Sequence, residues 1–198
     1  MKKLISIIMV TVMVLSMSAC AAPVAQEAAP AEEKAAFTGK YIVNAQYVMD
    51  HMKDENVLIV DARGEDAAKG GTVEGAVAVI WQQFASVSDG AAGDPMWGTI
   101  LDTDRLSAAL SAAGISQDKE IILFAAAQNG WGDDGRILWE LVAVGFPNVK
   151  MVDGGYDALV AAGVPTVKGA AAYTPADVTV TAIDETHVIN YRRSCCRL

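Results

Sequence analysis

Residues 120–144 read EIILFAAAQNGWGDDGRILWELVAV, and this stretch decides the fold. Ile121 to Phe124 form a short, unbroken apolar run, the pattern of a strand buried on both faces of a parallel sheet. From Asp133 to Val144 the period changes. Ile137, Leu138, Leu141, Val142 and Val144 then share one broad helical face. The stretch between, with Gly130 and Gly132, is a loop. A strand, a loop and a helix in that order are one half of a parallel crossover unit, and ligands of such sheets bind at the loops beyond the strands' carboxyl ends.

The same alternation extends in both directions. Upstream, Val48 and Met52 lie four apart in a helix predicted over 45–52, and residues 56–62 (NVLIVDA) form a second buried-strand run. A further apolar run covers 76–80. Residues 102–113 predict a helix that opens on capping candidates Asp102 and Thr103, carries Leu106 and Leu110 on one face, and stops at Gly114. Downstream, Val149 to Val152 predict a strand, and Tyr156 to Ala162 a short helix ended by Gly163 and Pro165. The expected fold class is α/β, a parallel sheet flanked by helices on both faces. Two loops are candidate sites: the one after Asp61-Ala62-Arg63, and the one from Ala125 to Asp134.

Composition narrows the function. At 198 residues the chain holds one domain plus appendages. Its net charge is −9, and removing Lys2 and Lys3 leaves 13 basic residues against 24 acidic ones, a net of −11. So acidic a surface excludes nucleic acid as a partner and gives no electrostatic grip on anionic lipid. The cysteines are Cys20, Cys195 and Cys196, with none between residues 21 and 194. A disulfide framework or cysteine metal site within the body is therefore excluded. The two histidines, His51 and His187, have no spaced partner, so neither metal nor cofactor is expected.

The N-terminus reads as an address. Two lysines, an apolar run from Leu4 to Leu15 and small residues beyond it compose a secretory signal, too short to span a bilayer core comfortably. Met17-Ser-Ala-Cys20 resembles the lipobox of bacterial lipoproteins, with Met17 at the usual leucine position. The resemblance implies a signal peptide over 1–19 and lipidation at Cys20. The expected localisation is outside the cytoplasm, with a lipid anchor to the membrane. Residues 20–39, rich in Ala, Glu and Pro, predict a disordered tether reaching roughly 60 Å at about 3.3 Å per residue.

Four motifs in order resemble the rhodanese, or sulfurtransferase, domains. Val57-Leu-Ile-Val-Asp-Ala-Arg63 is similar to a family strand ending in Asp-x-Arg. Gly71-Thr-Val-Glu-Gly-Ala76 resembles the segment Gly-His-Ile-Pro-Gly-Ala, with Thr72 for His and Glu74 for Pro. Val149 to Gly155 resembles the strand and double-glycine turn, and Gly163-Val-Pro165 the later Gly-x-Pro, with Leu159 for the usual Trp. The resemblance covers about residues 41–168, and the predicted domain runs over 40–170. It is greatest to the first domain of two-domain thiosulfate and 3-mercaptopyruvate sulfurtransferases, where a long loop leads into an Arg-x-x-Trp helix, here Arg136 to Trp139.

In the family's active domains a cysteine directly follows the central strand and carries a persulfide. That position is Ala125 here, and the loop equivalents are Ala125, Ala126, Ala127, Gln128, Asn129 and Gly130. The resemblance therefore implies a domain without sulfur-transfer chemistry of its own, acting as a binding or regulatory module toward a protein partner or sulfur-compound ligand. Asp133 and Asp134 are expected to cap the helix. Asp61, Arg63 and Arg136 are read as an anion site or as structural pairs, and Trp131 and Trp139 as packing. Residues 171–198 predict a connector, with Val178, Val180 and Ala182 alternating as an edge strand would, and a truncated start of a second such domain from Ile183. Two rival functions stay open: an active sulfurtransferase using Cys195 and Cys196, whose neighbours Arg192, Arg193 and Arg197 favour thiolates, or an anion-binding lipoprotein.

Overall fold

The computed structural model describes residues 39–87 and 90–187. The signal peptide, Cys20, nearly all of the tether, Cys195 and Cys196 lie outside the described residues. In chain order the elements are β1 (Ile42–Val43), α1 (Ala45–His51), β2 (Val57–Asp61), α2 (Glu65–Gly70), β3 (Thr72–Val73), β4 (Val77–Ala78), a 3₁₀ turn (Trp81–Phe84), α3 (Thr103–Ala113), β5 (Glu120–Phe124), α4 (Asp133–Ala143), β6 (Val149–Val152), α5 (Gly155–Ala161) and β7 (Thr166–Val167).

The main sheet has the strand order β1-β6-β5-β2-β4, with every pairing parallel. Its centre is the pair β2 and β5, in register from Val57 opposite Glu120 to Asp61 opposite Phe124. The apolar runs are unbroken because the sheet is covered twice. Along β5, Ile121 and Leu123 join a core with Leu106 and Leu110 of α3 and Ile137 and Leu141 of α4. The alternate residues Ile122 and Phe124 join a second core with Val48 of α1 and Leu159 of α5. Successive side chains of a strand point to opposite faces, so each face receives every other residue. A short antiparallel pair, β3 with β7, ties the Gly71–Ala76 segment to the chain after Pro165.

Helix punctuation follows local chemistry. Asp102 caps α3 by accepting the Arg105 N–H at 2.9 Å, and Gly114 ends it in the left-handed conformation. Of the two readings their alternation allowed, an edge strand or a connector, residues past 170 take the second. They lie as an irregular strap across α3, with Val178 and Val180 buried in the first core. The α3 residues Ser107 and Ser111 stand one helical turn apart. The Ser107 hydroxyl accepts the Val180 N–H at 2.9 Å, and the Ser111 carbonyl accepts the Ala176 N–H at 2.9 Å. The strap then reaches α4, where the Asp184 N–H donates to the Ala143 carbonyl at 2.7 Å and Trp139 Nε1 donates to the His187 carbonyl at 2.8 Å. Residues 184–187 form a turn, and no helix begins there among the described residues.

Candidate functional site

The loop leaving β5 is wound tightly. Ala125 is 1% exposed and packs into the first core. Its carbonyl accepts the Tyr156 N–H at 2.9 Å, so the start of α5 rests directly on the loop. Gly155 makes this approach feasible, since a Cβ there would collide with the Ala125 carbonyl oxygen. Asn129 takes the left-handed conformation at φ 58°, which Asn tolerates better than most residues. Gly130 then folds back on the loop, where any Cβ would collide with the Ala126 carbonyl oxygen. Ala125 is at the loop's buried floor, and Gln128, Asn129 and Gly130 are on its exposed rim.

The two aspartates at the start of α4 differ from the expectation that both cap it. The N-cap is Gly132, with no side-chain cap bond. Asp134 turns inward, and its Oδ1 accepts the Gly135 N–H at 2.8 Å. Burial pushes the Asp134 carboxyl up, Asp133 beside it adds to this, and the backbone N–H groups of Gly135 and Ala125 pull the other way. A carboxyl group thus occupies the neighbourhood of the Ala125 amide. Asp133 lines a cleft at the loop's outer side and makes no side-chain bond among the described residues.

Asp61 and Arg63 are fully engaged with each other and with the fold. Asp61 is completely buried. Arg63 donates to it from Nε at 2.9 Å and from Nη2 at 2.7 Å, the backbone N–H of Arg63 adds a bond at 3.0 Å, and the Thr72 hydroxyl adds another at 2.8 Å. The same guanidinium donates to the Gly71 carbonyl at 2.8 Å and lies over the Tyr156 ring at 3.8 Å. The pair therefore locks β2, the Gly71–Ala76 segment and α5 together. The cleft beside Arg63, of about 410 Å³, also carries Glu65 and Asp66, which oppose an anion there.

Arg136 is held as firmly. It pairs with Glu140 at 2.9 Å, donates to the Gly98 carbonyl, and lies over the rings of Trp81 and Trp139 at 5.1 and 4.8 Å. Glu140 is 1% exposed and its Oε2 has no hydrogen-bond partner. Burial pushes its carboxyl up to about 7, against the pull of Arg136. The loop thus lacks a free cation, and no group of three or more metal-ligating side chains occurs among the described residues.

Trp131 corrects the sequence reading. It is 95% exposed and packs on nothing that would bury it. With Trp81 and Trp97 it lines a cleft of about 570 Å³ beside the loop. Sequence reasoning missed this cleft, although its signal was present: Trp131 sits between Gly130 and Gly132, and Trp97 precedes Gly98, contexts in which no packed helical face can form. Buried Glu140 was also missed, because a polar residue on a helix gives no sign of where the helix will dock.

Comparison with known proteins agrees with this architecture. A family model described as Rhodanese-like domain matches residues 44–162. The 3-mercaptopyruvate sulfurtransferase of Leishmania major superposes with a TM-score of 0.60 at 18% identity, over 75% of this chain and 43% of that one. The 3-mercaptopyruvate sulfurtransferase SseA of Escherichia coli superposes with a TM-score of 0.66 at 20% identity, over 79% of this chain and 61% of that one. The chain therefore spans less than two thirds of either relative. At such identity the likeness is one of fold. No curated protein sequence matches the chain.

Proposed function

The chain belongs to the rhodanese-like domain family, and from that premise we propose that it is a non-catalytic, lipid-anchored member acting outside the cytoplasm as a binding or regulatory module. The observation that carries this reading is Ala125. It stands first after the central strand, on the buried floor of the loop, where the related sulfurtransferases would need a thiolate. An alanine methyl can neither accept a sulfane sulfur nor release one. The surroundings favour the same reading, because the Asp134 carboxyl lies near the Ala125 amide and the nearby cations Arg63 and Arg136 are consumed by Asp61 and Glu140. An anionic donor such as thiosulfate or 3-mercaptopyruvate would meet carboxylates rather than free positive charge.

Anchoring rests on the Met17-Ser-Ala-Cys20 motif, and the expected partner is a protein or a sulfur compound at the membrane face. The deciding experiment is sulfur transfer from thiosulfate and from 3-mercaptopyruvate to cyanide, using the full-length chain and its Cys195→Ser, Cys196→Ser variant. The expected result is no turnover above background in either. Turnover lost only in the variant would place the chemistry on the tail thiols and overturn the proposal. Acyl incorporation at Cys20, abolished by Cys20→Ala, tests the anchor separately.

A further inference from the structure

We propose that the tryptophan-lined cleft beside the β5–α4 loop binds a small organic cation of the methylated ammonium type. This site is separate from the Ala125 loop floor, and its case does not depend on whether the chain transfers sulfur.

The cleft's volume of about 570 Å³ lies within the range of small-molecule sites. Its walls are aromatic. The Trp81 and Trp97 rings stand 5.8 Å apart at 84° to one another, forming a corner rather than a flat patch. Trp131, beside the same cleft, leaves its indole 95% exposed. Indole faces attract cations through their quadrupole, and the attraction grows when the cation is easily desolvated. Trp81 already shows this preference, with the Arg136 guanidinium 5.1 Å from its ring.

The charge distribution selects the sign. Asp133 lines the cleft, and its carboxylate makes no bond within the described residues. Arg136 also lines it, but is tied to Glu140 and to the Gly98 carbonyl. The net charge of −9 concentrates cations around the molecule as a whole. Metal ions are poorly served, because a hard cation needs several oxygen ligands and Asp133 is the one carboxylate here. A bare ammonium keeps its water shell. An ammonium bearing methyl groups gives its apolar surface to the indoles and its charge to Asp133.

Choline and its uncharged isostere 3,3-dimethylbutan-1-ol are the probes. Each is titrated into the full-length chain at a pH of about 8, where Glu140 is ionised and balances Arg136. Indole fluorescence and calorimetry are the readouts. Saturable choline binding is expected, with the neutral alcohol weaker by about tenfold. Asp133→Asn and Trp131→Ala are each expected to weaken choline by about three- to tenfold. Trp131 is so exposed that its replacement leaves folding intact, which unchanged circular dichroism would verify. Equal binding of choline and the alcohol overturns the proposal by making the cleft merely apolar. So does choline binding that both variants leave untouched, or the absence of any saturable response. Self-association or partner capture lost in Trp131→Ala, without choline binding in the parent, would assign the surface to a protein instead.

Discussion

Glu140 shows how much a single residue's meaning depends on its neighbours. In the sequence it is one polar position on α4; in the fold its carboxyl group is buried, half paired with Arg136, and shifted up to about 7. The folded protein therefore holds this proton over a range in which the unfolded chain, titrating near 4.5, has released it. Its contribution to stability is full below about 4.5 and falls as pH rises through about 7, by roughly 3 kcal/mol in all. Glu140→Gln should remove that slope, so that parent and variant melting temperatures diverge between pH 4.5 and 8; parallel curves would show that the carboxyl is not perturbed. Asp61 and Arg63 are the opposite case, legible as a motif but ambiguous in role. Replacing Arg63 by Leu strands a completely buried carboxylate, and chemical denaturation should register a loss of about 3 to 5 kcal/mol. A loss below about 1 kcal/mol would mean that Thr72 and the backbone satisfy Asp61 unaided.

At the scale of elements, periodicity located the helices and strands because each buries a defined face. Residues 57–61 and 120–124 are apolar throughout since the sheet is covered on both sides, and residues 103–113 carry Leu106 and Leu110 four apart because only one side of α3 meets the core. Periodicity did not separate a strand from a connector at Val178 and Val180. Alternation marks a chain with one side buried, which a strap satisfies as well as a strand, and the strap takes its hydrogen bonds from α3 instead of from a neighbouring strand. Ser107 is the test. Its hydroxyl accepts the Val180 N–H, and Ser107→Ala should cost about 1 kcal/mol while leaving the helical signal unchanged. If the variant is as stable as the parent, water replaces that bond without cost.

For the whole molecule, the strap extends the folded body beyond residue 170. Val178 and Val180 are nearly inaccessible, and Tyr173, Ala176 and Ile183 pack against the same core. A chain ending at Lys168 should lose about 3 to 6 kcal/mol from the two valines alone, at about 1.5 to 3 kcal/mol for each buried side chain. Its melting temperature against that of the full chain is the measurement. Equal melting temperatures would make the strap an ornament. Read by itself, the sequence determined the α/β class, the long buried strands and the helices that start near 45, 103, 133 and 155, and the family resemblance, because these depend on local period and on short motifs; the short strands β1, β3 and β7 and the helix Glu65–Gly70 gave no such period. The tertiary structure alone decided that Asp61 and Arg63 form a closed ion pair, that Asp134 turns inward, that Glu140 is buried, and that Trp81, Trp97 and Trp131 line one cleft. The pairs themselves are local, but their burial and the assembly of the cleft rest on segments far apart in the chain, and no local pattern encodes which surfaces the folded sheet will bring together.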